Sequence, residues 1–167
     1  VINLKQLPIV NTELVALIDD EDYEIASKYK WYACRSSKKG ITSVMTKLPT
    51  VNGNRPTVYL HRLIMNAPDG KFVDHINRDV LDNRKENLRL CNNQQNCCNR
   101  MRTNSSGYKG VFKRREKKYT RDRYRAYINL DGKRVNLGTF DTAEEAALAY
   151  NKKAIELHGK FASLNIL

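Results

Sequence analysis

The sequence predicts an α+β fold in two parts. An N-terminal strand-rich region leads into a compact strand–loop–strand–helix unit, and a three-stranded antiparallel sheet packed on one helix follows. Three observations predict it. Residues 124–130 and 133–137 alternate between apolar and polar around Asp131-Gly132, the pattern of a hairpin with one buried face. Asp141 or Thr142, with Glu144 or Glu145 three residues later, offers a capping box ahead of apolar residues at helical spacing, the mark of a capped amphipathic helix. Residues 72–77 (FVDHIN) and 88–91 (LRLC) flank a polar loop and precede the Asn-rich stretch NNQQNCCNRMR.

The elements follow in order. Residues 14–19 (LVALID) read as a short strand. Asp19, Asp20 and Asp22 supply helix-start chemistry for a short helix over 23–31, which ends at a core residue, Trp31. Strands are expected at 43–47 and 57–61, with the turn-rich VNGNRP between them. HRLIM at 61–65 reads as one helical turn under the sheet, and APDG at 67–70 as a turn. The small polar run TNSSG at 103–107 is the best boundary, giving a domain at 1–102, a linker at 103–106 and a domain at 107–167. In the second domain a first strand at 108–114 turns Val111 inward and Phe112 and Arg114 outward. Ala146, Ala147, Tyr150, Ala154 and Leu157 line the inner helix face, and Gly159 ends the helix. A helix covers one face of the three strands, so the other is bare and carries Arg, Lys, Asn and aromatics.

Charge narrows the partner. The 167 residues carry a net charge of +12. Residues 101–138 hold 12 basic side chains against 3 acidic ones, whereas residues 1–70 hold 9 against 7. Basicity concentrated on strands is the footprint of a protein that binds a polyanion, with nucleic acid ahead of an anionic membrane, which would call for an amphipathic basic helix. An apolar share of 41% excludes a disordered tail, and no run approaches the length of a membrane span. The opening residues do not read as an export signal. The expected setting is therefore the cytoplasm of a bacterial or phage-infected cell, with Cys34, Cys91, Cys97 and Cys98 reduced. Their spacing is a poor match to structural zinc.

Asp74-His75 closes a short strand, Asn87 comes twelve residues after the histidine, and Asn96 lies on the following helix. Cleaving a phosphodiester takes an activated water and neutralisation of charge on the phosphate. The Asp74 carboxylate and the Asn96 amide oxygen suit one hard cation, Mg²⁺ or Mn²⁺, with water and phosphate completing its shell. Adjacent side chains on a strand face opposite ways, so His75 is separated from that ion and has the near-neutral pKa of a general base. Asn92 and Asn99 share a helix face with Asn96, which leaves the amide ligand open among them. His61 reads as a structural histidine in an apolar strand. Asn77 and Asn83 read as loop or cap residues, and Asp79 and Asp82 as turn residues.

The run Y-L-H-R-L-I-M at 59–65, V-D-H-I-N, L-D-N-R-x-E-N-L-R and N-x-x-x-N resembles the HNH nuclease family in its phage and intron homing-endonuclease branch, over roughly residues 14–100. The resemblance implies a ββα-metal catalytic core at about 59–100. It also implies a metal-dependent DNA endonuclease with His75 as the base, Asn87 holding the loop that orients it, and Asp74 and Asn96 as metal ligands. One such unit per monomer implies nicking of one strand at a time. The third motif position, often His in the family, is Asn96 here, which favours Mg²⁺ or Mn²⁺ over zinc.

Farther on, YKGVFKR, YRAYI and GKRVNLGTFDTAEEAALAY resemble the Apetala/ethylene-response-factor DNA-binding domain, over about 107–165. That resemblance implies that the bare sheet enters the major groove of double-stranded DNA, with Lys109, Phe112, Arg114, Tyr127, Asn129, Arg134 and Asn136 at the matching positions. Phe112, Tyr127 and Asn136 depart from the plant pattern, so its base preference does not transfer. Lys113, Arg115, Lys117, Lys118, Arg121 and Arg123, in or beside the loop between the first two strands, read as phosphate contacts or solvated charge. Together the two resemblances imply a sequence-tolerant, site-directed endonuclease with no membrane and no obligatory protein partner. The rival expectation is a DNA-binding regulator with a degenerate, inactive HNH unit; an RNA-directed nuclease is a weaker third.

Overall fold

The computed structural model describes residues 4–38, 40–99, 104–114, 122–130 and 132–167. Thr103, Arg115, Lys117, Lys118, Arg121 and Asp131, each named from the sequence above, lie outside the described residues. The chain divides into two units, Val1–Asn96 and Cys97–Leu167. Both mix strands and helices in small sheets, so the α+β class holds.

The first unit opens with an antiparallel hairpin, β1 (Leu4–Pro8) and β2 (Val15–Asp19), and runs directly into α1 (Asp20–Ala26). The expected helix over 23–31 is therefore shifted. Asp19 stands at the N-cap, and Asp20 and Asp22 lie inside the first turn, near the positive end of the helix dipole. The chain leaves the helix at Ser27 so that Trp31 can bury completely, with its Nε1 donating to the Ala26 carbonyl at 2.8 Å. A second sheet follows, β3 (Tyr32–Ser36), β4 (Gly40–Lys47) and β5 (Thr57–Tyr59), in the order β3-β4-β5. Neither β1 nor β3 was expected, because LKQLP and YACRS lack clean alternation and offer few buried side chains. Tertiary pairing makes them strands.

Next come α2 (Leu60–Ile64), β6 (Phe72–His75), a 3₁₀ turn (Lys85–Asn87), β7 (Leu88–Cys91) and α3 (Asn93–Asn99). Trp31, Ile18, Leu60, Val44, Ala16 and Leu7 anchor one core beneath these elements. His61 is not in a strand, as expected, but in the first turn of α2.

The second unit has β8 (Val111–Arg114), β9 (Arg123–Leu130) and β10 (Lys133–Phe140) in the antiparallel order β10-β9-β8, then α4 (Ala143–His158). The capping box is present: the Thr142 side chain accepts from the Glu145 N–H, and Glu145 answers to the Thr142 N–H. β10 runs three residues beyond the expected Leu137, because a bulge between Asn136 and Gly138 restores its register. β8 starts later than expected. Gly110, at φ 74°, turns the chain where a Cβ would lie 2.3 Å from the Tyr150 ring. Of the expected linker, residues 104–106 form an Asx turn, and Ser106 Oγ donates to the Val111 carbonyl at 2.8 Å. Val111, Ala126, Ala146, Ala147, Ile128, Tyr150 and Ala154 fill the space between sheet and helix. No helix among the described residues is long and apolar enough to cross a membrane.

Candidate active site

β6 and β7 pair antiparallel with Asp74 opposite Arg89 and His75 opposite Leu88. Cross-strand partners on one face meet directly, so Arg89 reaches Asp74 Oδ2 twice, from Nε at 2.9 Å and Nη2 at 2.6 Å. Asp74 is buried and Arg89 largely so. His75 lies edge-on to His61, with ring centroids 5.3 Å apart, and His61 stacks on Tyr59 at 5.7 Å. On another side, His75 Nε2 lies 3.2 Å from Oδ1 of Asn83.

Burial dominates the histidine electrostatics. The His61 pKa is pulled down to about 4, by burial first and then by His75 and Arg62. His75 is lowered too, again by burial, against the opposing pull of the Asn83 hydrogen bond and of Asp74, Asp79 and Asp82. Both rings are therefore neutral at neutral pH.

The loop between β6 and β7 is tied at its neck by Asn87. Its Oδ1 accepts from the Asn77 N–H at 3.0 Å, its Nδ2 donates to Asn77 Oδ1 and to the Asp82 carbonyl, and its own carbonyl accepts from the Ile76 N–H. Asp82, read as a turn residue, is a buried anchor gripped by Arg84 through Nε and Nη2, each at 2.7 Å. The Arg84 guanidinium holds its carboxyl below the usual range. Asp79 caps the turn by accepting from the Leu81 N–H. The loop is also fastened to β2 and α1. Leu17 exchanges backbone bonds with Leu81 and Asn83, Lys85 donates its N–H to Asp19 Oδ2 at 2.8 Å, and its ammonium pairs with Asp22 and Glu21.

The three candidate amides on or at the start of α3 separate. Asn92 Oδ1 accepts from the Gln95 N–H at the helix start, and Asn99 is buried. Asn96, one helical turn after Asn92, is half-buried. Two residues that matter here were read from the sequence in structural roles only, His61 as a structural histidine and Asn83 as a loop or cap residue. Asn83 and His61 both contact His75, yet neither burial inside a loop nor packing across a turn leaves a periodic trace.

In the second unit Phe112 and Tyr127 pack edge to face at 5.9 Å, and the Arg134 guanidinium lies over both rings, at 5.5 and 5.3 Å. Arg125 Nη1 donates to the Tyr127 hydroxyl. Asn129 is exposed, Arg114 half-buried, and Asn136 Oδ1 accepts from the Gly138 N–H at the bulge. Lys109 stands apart from this cluster: its Nζ donates to the Cys98 carbonyl at 2.6 Å, and its backbone exchanges two bonds with Asn165.

A buried Asp-His pair on a two-stranded ribbon, with a pinned polar loop beside it, is the equipment of a phosphodiester-cleaving nuclease. The family model described as HNH endonuclease matches residues 58–97, which span these elements. The chain is 33% identical over 156 residues to the Uncharacterized HNH endonuclease L560 of Acanthamoeba polyphaga mimivirus, covering 90% of this chain and 74% of that one. It is 34% identical over 97 residues to Protein 3.8 of Escherichia phage T7, covering 57% of this chain and 76% of the relative. No solved structure matches. The chain belongs to the HNH endonuclease family.

HNH nucleases typically use divalent metal ions. Among the described residues no group of three or more His, Cys, Asp or Glu is placed to hold one. Asp74 offers a carboxylate and half-buried Asn96 an amide oxygen, both hard donors of the kind such ions prefer.

Proposed function

We propose that the chain is a homing-type, site-directed DNA endonuclease that hydrolyses one phosphodiester per monomer and so nicks double-stranded DNA. The observation that carries this reading is His75: a buried, neutral imidazole held against His61 and Asn83, beside a carboxylate, within the segment matching the family model. A neutral imidazole accepts the proton of an attacking water, and a ring fixed on two sides loses little entropy in doing so. Asn87 keeps the loop closed, so Asn83 stays at the ring. Mg²⁺ or Mn²⁺ is the proposed cofactor, held by Asp74 and Asn96, and when bound it supplies neutralisation of charge at the scissile phosphate. Capping by Asn92 and burial of Asn99 support Asn96 as the amide ligand.

The second unit is the proposed DNA reader, of Apetala/ethylene-response-factor type. Its support is the cluster of exposed Arg134 and Phe112 with half-buried Tyr127 on a basic sheet. Stacking holds the guanidinium extended for a guanine edge or a phosphate, and the aromatic rings suit a thymine methyl.

One observation favours the rival, a DNA-binding regulator with an inactive HNH unit. Asp74 Oδ2 already accepts two bonds from Arg89. A supercoiled plasmid carrying a cognate site decides between them. Open-circular product appearing first with Mg²⁺, and stopping with chelator, is the expected result. Binding without any product, at every Mg²⁺ and Mn²⁺ concentration, selects the regulator.

A further inference from the structure

We propose that Asn83 is a positioning residue that locks His75 in the tautomer protonated on Nε2, which makes Nδ1 the nitrogen that takes the proton from water. The lock itself stands on geometry alone; its catalytic consequence rests on the reading of His75 as the base.

The geometry starts at Val80. Asn83 is completely buried, and its Nδ2 donates to the Val80 carbonyl at 3.0 Å. That bond sets which way round the amide lies. Turned over, its oxygen would face the Val80 carbonyl oxygen at the same distance, acceptor against acceptor. The end of the amide that faces His75 is therefore Oδ1, 3.2 Å from Nε2. An amide oxygen only accepts, so the ring nitrogen facing it must carry the hydrogen. A neutral imidazole has one such hydrogen, and its basic lone pair is then on Nδ1.

Asn83 is itself held firmly. Its N–H donates to the Leu17 carbonyl at 2.8 Å, Leu17 in turn donates to the Leu81 carbonyl at 2.7 Å, and a parallel bridge joins Leu17 to Asp82. Asp82 is clamped by Arg84 and accepts from Asn77 Nδ2. Strand β2, more than fifty residues upstream of the histidine, thus determines where the amide sits, while the His61 ring restrains His75 from another side. The arrangement follows the general logic by which the partner of one imidazole nitrogen selects the chemistry of the other.

The test uses the full chain labelled with ¹⁵N at a pH above the ordinary histidine value. The chain has three histidines, so a long-range ¹H–¹⁵N correlation compared with that of His75→Ala identifies the ring. The expected pattern is a protonated Nε2 and an unprotonated Nδ1. The reverse pattern overturns the proposal without any substitution in Asn83. Asn83→Leu keeps the approximate shape and removes the acceptor. It is expected to give a mixture of tautomers and to slow single-turnover nicking by about 10- to 100-fold, within the range a general base contributes, at unchanged plasmid affinity. An unchanged tautomer in a folded Asn83→Leu overturns the lock; should that variant not fold, the wild-type spectrum decides. Failure of the underlying reading looks different: His75→Ala that nicks at the wild-type rate removes the base and leaves the spectrum as it was.

Discussion

The two units solve opposite problems. The first buries polar groups: Asp74, His75, Asp82, Asn83 and Asn87 lie inside, each satisfied by a neighbour, next to the apolar core around Trp31. The second packs apolar side chains such as Val111, Ile128, Tyr150 and a set of alanines between sheet and helix, and carries exposed Arg134 over the rings of Phe112 and Tyr127. Chemistry at one phosphate needs groups fixed within a fraction of an ångström, which buried, mutually bonded side chains provide. Attraction to a polyanion needs charge in reach of solvent and little else. The difference predicts that substitutions in the first unit change the rate of cutting and those in the second change binding.

The sharpest test is His75→Ala. Cleavage should fall by about 10²–10⁴-fold, while binding of a cognate duplex, read by fluorescence anisotropy, stays at the wild-type value. A parallel loss of affinity would break the division of labour. Arg89→Leu comes next. It removes the cation paired with buried Asp74, and breaking a buried ion pair costs about 3–5 kcal/mol. The single tryptophan, Trp31, is buried in the first unit, so its fluorescence in a denaturant titration should report that loss.

Gly110→Ala is the counterpart in the second unit. The added methyl would meet the Tyr150 ring at 2.3 Å and the Tyr127 carbonyl at 2.5 Å, on backbone with φ 74°. A cost of about 2–4 kcal/mol is expected. It should show in the far-UV CD transition and leave the Trp31 transition in place.

Acid distinguishes the units further. His61, faced by His75, Tyr59 and Arg62, has its pKa pulled down to about 4 by burial. Between pH 6.5 and about 4 the unfolded chain binds a proton that the folded chain refuses. Stability is therefore intact above 6.5 and falls as the pH drops, by up to about 3 kcal/mol. His61→Phe should flatten that slope in the Trp31 signal. The smallest effect is that of Arg134→Gln, about 1–3 kcal/mol of DNA affinity with a shallower salt dependence. The nicking rate at saturating protein should not move.

Much was legible in the sequence where structure is local. The alternation over 124–130, a capping box within 141–145 and the Asp74-His75 strand end each depend on neighbours within a few residues, so residue type and spacing are enough; which pair closes the box, Thr142 with Glu145, the structure decided. The motif also pointed to Asn87, whose bonds to Asn77 and Asp82 close the loop. β1 and β3 were not legible, because their pairing rather than their composition makes them strands.

The residue types, their order and the basic character of the second unit were determined by the sequence alone. Tertiary structure decided which of them meet: Arg89 on Asp74, His61 against His75, and Asn83 at the Nε2 of that ring by way of Leu17. The physical reason is range. Periodicity records which face of one element is buried, whereas the partner of a buried polar atom is set by how separate elements pack, and that information is not local to any stretch of chain.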